Sequence, residues 1–187
     1  MNEEAQMCLE EAKEGMENSI KHLKKELQKL RTGKANPNML SGITVDYYGA
    51  QTPIEQMANI STPDARQIVI QPWDKNVIGN IIKEIQAANL GFNPQDDGEV
   101  IRIIVPELTE ERRKDLVKRC KQEGEDAKVG IRGARKEAKN TAKNLQKEGL
   151  SEDEEKELED EIQKLTDKYV KKVDEIVDEK EKDIMEF

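Results

Sequence analysis

The sequence predicts an α+β fold in which a long three-helix bundle is interrupted by a small β/α/β domain, and three observations carry that expectation. The 187 residues are 35% apolar and only 3% aromatic, too thin a supply for a broad globular core. Charged residues make up 38% of the chain, and near both ends the apolar ones recur at steps of three and four, so that a narrow seam can be buried while the other faces stay wet. Between those stretches the period changes to two, in short β-branched runs bounded by turn residues.

From Ala5 to Leu30, the residues Leu9, Ala12, Met16, Ile20, Leu23, Leu27 and Leu30 mark a first long amphipathic helix. It ends at Arg31-Thr32-Gly33-Lys34-Ala35-Asn36-Pro37, where a glycine and a proline break both helix and strand. Ile43, Val45 and Tyr47 then alternate with Thr44, Asp46 and Tyr48, and the runs 66–70 and 100–105 read as further strands. Between these two runs, Val77, Ile78, Ile81, Ile82 and Ile85 predict a short helix that stops before Asn89 and Gly91.

After Pro106 the helical period returns. Thr109 can cap, Glu110 and Glu111 suit a first turn, and Leu116, Cys120, Ala127, Ile131, Ala134, Ala138 and Leu145 form the stripe. The roughly 40 residues to Lys147 would span about 60 Å as a helix. Gly149 closes this element, and Ser151 with Glu154 makes a capping box for a third long helix, with the stripe Leu158, Ile162, Leu165, Tyr169, Val173 and Ile176. The expected organisation is therefore a bundle of residues 1–30 and 106–187 with a domain of residues 31–105 inserted in it. The chain crosses between the two at 31–37 and 105–109. Arg31, Thr32, Gly33, Pro37, Val105 and Pro106 are the expected hinge residues, against the alternative of rigid linkers fixed by packing.

Several function classes are disfavoured. Cys8 and Cys120 lie far apart without a C-x-x-C or Cys/His cluster, which argues against zinc and disulfides and for a reducing cytoplasm. No run of about 18 apolar residues suggests a membrane span, and Met1-Asn2-Glu3-Glu4 is acidic where a targeting peptide would be basic. Gly33-Lys34 lacks the rest of a phosphate-binding loop, and the lone His22 has no nucleophile in a suitable context. No catalytic residue, cofactor or metal ligand is assigned, and the chain is expected not to be an enzyme. A hydrolase using Asp46, Asp74, Asp96 or Asp97 is disfavoured because these acids stand in turn-forming contexts.

Charge placement carries the functional signal. The whole chain has a net charge of −9, yet residues 127–147 hold Lys128, Arg132, Arg135, Lys136, Lys139, Lys143 and Lys147 against Glu137 alone, which is 7 − 1 = +6. The positions 128, 132, 135, 139 and 143 advance by three or four and share one helical face, a stripe suited to a phosphate backbone. The competing explanation is an intramolecular charge zipper, because residues 151–187 contain 16 acids and 7 bases and could pair with the stripe. Gly130 and Gly133 stand inside this basic helix, each at a cost of about 1 kcal/mol relative to alanine. Close packing of a partner helix is the favoured reason for Gly130, while Gly133 stays open.

The blocks Arg31-Thr32-Gly33-Lys34-Ala35-Asn36-Pro37, Asp46-Tyr47-Tyr48-Gly49, Leu90-Gly91-Phe92-Asn93-Pro94 and Leu108-Thr109-Glu110-Glu111-Arg112-Arg113-Lys114, followed by Val129 to Arg135 and Gln163-Lys164-Leu165-Thr166-Asp167, resemble the ribosome recycling factor family in family order. The resemblance covers essentially the whole chain. It implies an L-shaped, monomeric two-domain molecule whose bundle docks on ribosomal RNA of the large subunit. Arg132 would lead that contact, supported by Arg135, Lys128, Lys139, Arg112 and Arg113. It further implies a partner, elongation factor G carrying GTP, with which the post-termination ribosome is split and released from mRNA. This sequence has Lys34, Lys136 and Gly133 where the family usually has Arg, Arg and Asn. The alternative from another class is a helical-bundle adaptor or chaperone-like protein with no RNA role.

Overall fold

The computed structural model describes residues 2–30 and 32–186. Helix α1 (Glu3–Gln28) opens on Asn2, whose Oδ1 accepts from the Ala5 amide at 2.8 Å, with Glu3 and Glu4 in the first turn where the helix dipole favours acids. It buries Ala5, Cys8, Ala12, Met16, Ile20, Leu23 and Leu27, close to the stripe that periodicity marks. Each large aliphatic side chain buried in this way contributes about 1.5–3 kcal/mol.

The chain returns to this unit as α3 (Glu110–Lys147), which buries Leu116, Cys120, Gly124, Ala127, Ile131, Ala138 and Ala142. Gly149, at φ 125°, ends it, and the Leu150 amide donates to the Leu145 carbonyl at 2.9 Å. The Ser151 hydroxyl then accepts from the Glu154 amide at 3.2 Å and opens α4 (Glu152–Glu186), as the capping box predicts. Leu158, Ile162, Tyr169, Val173 and Ile184 complete the seam. The buried Thr166 satisfies its hydroxyl by donating to the Ile162 carbonyl at 2.8 Å. Residues 2–30 with Glu110–Glu186 form one compact unit.

Small residues set the helix spacing in this bundle. A Cβ on Gly15 would lie 3.3 Å from the Ala134 Cβ, one on Gly130 would lie 2.6 Å from the Ser19 Oγ, and one on Gly124 would lie 2.7 Å from the Val177 Cγ2. Gly130 is thus explained by helix packing, as expected. Tyr169 ties α4 to α1 by donating to the Glu17 Oε1 at 2.9 Å, and burial together with that acceptor pushes its phenol up to about 12. Arg113, a half-buried residue in the first turns of α3, donates through Nη1 to the carbonyls of Ile184 (3.2 Å) and Met185 (2.8 Å) and so satisfies the C-terminal turn of α4.

The second compact unit is Thr32–Thr109. A hairpin of β1 (Thr44–Tyr47) and β2 (Ala50–Pro53) turns through Tyr48 and Gly49, both at positive φ. An antiparallel sheet follows, in the order β3-β4-β6-β5, from β3 (Ala58–Asp64), β4 (Gln67–Pro72), β5 (Pro94–Asp96) and β6 (Ile101–Ile104). Ile68 and Ile70 of β4 and Ile101 and Ile103 of β6 point into a core closed by Ile78, Ile81 and Ile85 of α2 (Ile78–Ala87). Six strands are found among the described residues where the alternating pattern shows three. The additional ones, β2, β3 and β5, bury almost nothing and so carry no apolar period.

The expected hinge residues are partly built into this unit. The Ala35 amide donates to the Ala65 carbonyl and the Val105 amide to the Arg66 carbonyl, each at 2.7 Å, and both Ala35 and Val105 belong to the insert's core. Pro37 opens a single 3-10 turn to Leu40. Thr32 and Gly33 are buried, Gly33 at φ 79°, whereas Pro106 is exposed. Arg31 lies outside the described residues.

Two outcomes are expected. Gly124→Ala lowers the melting temperature although alanine is the better helix former, because overpacking against the stiff Val177 costs about 1–3 kcal/mol. Adding Val177→Ala should recover part of the loss, so a double-mutant cycle in denaturant should show a coupling of about 1 kcal/mol. Arg113→Gln should fray the end of α4, with hydrogen exchange of the amides paired to its last turn accelerated roughly five- to tenfold and the rest of the bundle unchanged.

Candidate nucleic-acid interface

Helix α3 is covered on two sides. Gly130 and Ala134 meet Ser19 and Gly15 of α1, while Gly124 meets Val177 of α4. On the α4 side Lys128 is held by Asp174 at 2.7 Å, with Glu125 at 3.8 Å, and its side chain is only 17% exposed. The remaining arc faces solvent and carries Arg132, Gly133, Lys136, Asn140 and Lys143, with Arg135 and Lys139 half-buried at its margin. These seven residues line one open concavity of about 450 Å³ that contains five cations and no carboxylate. Glu137 lies on the other flank, in a separate groove with Glu11, Gly15 and Thr141.

This placement separates the two readings of the basic stretch. A charge zipper requires the cations to be answered by α4, yet among the described residues Lys128 is the one member of 127–147 in an ion pair. Arg132, Arg135, Lys136, Lys139 and Lys143 converge instead on the concavity. Unpaired cations along about 16 Å of helix can neutralise successive phosphates and release their counterions. The arginines can also grip phosphate oxygens with two donors each.

The six residues expected to touch RNA therefore divide. Arg132, Arg135 and Lys139 are brought together. Lys128 sits at the α4 edge with its charge answered by Asp174. Arg112 and Arg113 lie about 30 Å farther back along the same helix, where Arg112 is exposed and Arg113 holds the end of α4. The site also takes in Lys143, which the spacing had placed on the same stripe, and it adds Lys136, Asn140 and Gly133, which a helical projection aligned on the covered faces, rather than on the cations, would have grouped with Arg132.

The acids of the disfavoured hydrolase reading are all engaged in local structure. Asp46 accepts from the Gly49 amide and Asp96 from the Gly98 amide, both at 2.8 Å, and Asp97 pairs with Arg102. Asp74 accepts from the Asn76 amide at 2.9 Å and from the Tyr48 hydroxyl at 2.8 Å, and these bonds hold its carboxyl below the ordinary range. Cys120 and Cys8 are buried in the bundle seam, and burial pushes the Cys120 thiol up to about 11. Among the described residues no helix is long and apolar enough to cross a membrane.

Comparison with known proteins places this architecture. A family profile described as ribosome recycling factor matches residues 23–185. The ribosome-recycling factor of Cytophaga hutchinsonii is 50% identical over 183 residues, covering 98% of each chain. That of Flavobacterium johnsoniae is 55% identical over 153 residues, covering 82% of each. Among solved structures, a solution structure of the ribosome recycling factor aligns over 100% of both chains at 41% identity with a TM-score of 0.80. A second, at 44% identity and a TM-score of 0.65, covers 96% of this chain and 98% of that one. It depicts the T. thermophilus ribosome recycling factor and the E. coli elongation factor G bound to the E. coli post-termination complex. With its helices, its inserted sheet and nearly its whole length matched, the chain belongs to the ribosome recycling factor family.

Proposed function

We propose that the cationic concavity of α3 docks this chain on ribosomal RNA of the large subunit. There, with elongation factor G and the GTP bound to that partner, it splits the post-termination ribosome and frees it from mRNA. The observation that carries the reading is the convergence of Arg132, Arg135, Lys136, Lys139 and Lys143 in one concavity without a carboxylate, in a chain of net charge −9. Phosphate contacts supply affinity and position, and both weaken with salt. The chain itself acts without catalysis as a cytoplasmic monomer, and the energy comes from the partner's nucleotide. Support for this is that the acids of the insert serve turns and that Gly33-Lys34 lacks the rest of a nucleotide loop.

The two crossings of the chain are the proposed hinges. Because Ala35 and Val105 are bonded into the insert and Glu107 pairs with Arg66, the proposed rotation is assigned to Thr32–Lys34 and the residues after Glu107, a narrower span than 31–37 and 105–109. Rotation there would convert a push by the partner into force on the bundle's ribosomal contacts.

Arg132→Glu should leave helicity and melting temperature nearly unchanged, because the side chain is exposed, while large-subunit binding in co-sedimentation falls by about tenfold or more and its salt dependence flattens. Equal, salt-insensitive sedimentation of both proteins would favour the helical-bundle adaptor with no RNA role. Deleting one residue within Thr32–Lys34 should spare that binding but slow subunit splitting with elongation factor G and GTP; splitting at the wild-type rate would sink the hinge assignment.

A further inference from the structure

Helix α3 carries three interior glycines, and two of them are explained by neighbouring helices, Gly124 by Val177 and Gly130 by Ser19. Gly133 is different. Nothing lies within 4 Å of the position its Cβ would occupy. The helix runs through it without a break, and it is not among the glycines at positive φ. Neither packing nor a turn therefore offsets the helix stability that glycine forfeits relative to alanine. What the missing side chain does produce is a low point in the cationic concavity, beside Arg132 and Lys136. One turn before it on the same arc stands Val129, an aliphatic side chain left 65% exposed.

We propose that Gly133 is the close-approach position for the bound polynucleotide: the sugar-phosphate backbone crosses α3 over Val129 and Gly133 while Arg132, Lys136 and Lys143 hold its phosphates. This rests on the reading of α3 as the RNA-docking face and deepens it. Five cations alone would attract a polyanion from any direction, whereas a lane without charge or bulk beside them fixes where the strand lies. The ribose presents C–H groups that can rest on Val129, and the absent Cβ at 133 lets the strand sink far enough for short, charge-assisted contacts to Arg132. An exposed valine and an unpacked glycine are both poor choices for a solvated helix surface, and one ligand accounts for both.

The test compares wild type, Gly133→Ala, Gly133→Leu and Arg132→Glu for co-sedimentation with large ribosomal subunits at two salt concentrations, and for melting temperature. Space is open at 133, so both glycine variants fold and Gly133→Ala melts higher than wild type. Affinity should nevertheless fall, by about threefold for alanine and about tenfold or more for leucine, as expected for added bulk at a close contact. The salt dependence should keep its slope because no charge has changed. If Arg132→Glu loses binding while both glycine variants bind like wild type, the close-approach role is overturned and the docking face stands. A lower melting temperature for Gly133→Ala would overturn it too, by revealing a role within the chain. If Arg132→Glu binds like wild type, the docking face itself fails and Gly133 falls with it.

Discussion

The structure depends first on how closely α1 and α4 approach α3. Gly15 against Ala134, Gly130 against Ser19 and Gly124 against Val177 bring backbones together where larger side chains would hold them apart. A helix gripped from two directions keeps one open arc, and its sequence must then satisfy two different environments at a period of 3.6. In α3 the covered arc takes Cys120, Ala127, Ile131, Ala138 and Ala142, and the open arc takes the cations. The proposed docking surface is thus a consequence of the seam: shifting the helix by one residue in register would turn Arg132 towards the core.

Electrostatics follows from that geometry. Helix α4 is strongly acidic and lies against α3, so a basic helix beside it would be expected to lose its field to cross-helix pairs. It does so at Lys128 and Asp174. Farther along, among the described residues no ion pair joins Arg132, Arg135, Lys136, Lys139 or Lys143 to α4, and they line the open concavity instead. Exposed pairs yield at most about 1 kcal/mol each, which is too little to draw long side chains back around a helix. The acidity of the rest of the chain then has a use of its own. In the proposed function it would oppose unspecific adhesion to nucleic acid and leave the attraction to the cationic surface of α3.

The long helices were legible because each repeats one signal many times, and the junction of α3 and α4 because Gly149 and Ser151 each perform a local task that their chemistry announces, whereas the cap that Asn2 places on α1 was not read from the sequence. Strands β4 and β6 were legible for the same reason, as β-branched runs with buried isoleucines. Strands β2, β3 and β5 were not, because they are edge strands held by backbone pairing across short turns to β1, β4 and β6, and their mostly exposed side chains carry no apolar period. The basic helix was legible as a face but not as a site. Spacing placed Lys128 with Arg132 and left out Lys136, since which cations meet α4 is decided by tertiary contact. Arg113 illustrates the same limit: its partners are carbonyls at the far end of another helix, and no local pattern encodes them.

The insert meets a different demand. Its core of isoleucines from β4, β6 and α2 is complete within Thr32–Thr109, and it reaches out to Ala35 and Val105, close to the points where the chain enters and leaves. Anchoring the chain so near those points has a mechanical effect. A domain that transmits force through a proposed hinge must be stiff up to the hinge, because compliance inside the domain would absorb the stroke. The hydrogen bonds Ala35 to Ala65 and Val105 to Arg66, and the ion pair of Arg66 with Glu107, fasten both chain ends around one turn between β3 and β4. Arg66 and its neighbour Ala65 therefore hold the entering and the leaving strand at the same place. In the proposed hinge, bending would be left to the few residues outside that clasp, Thr32 and Gly33 among them, whereas Pro106 lies between Val105 and Glu107 and so within it.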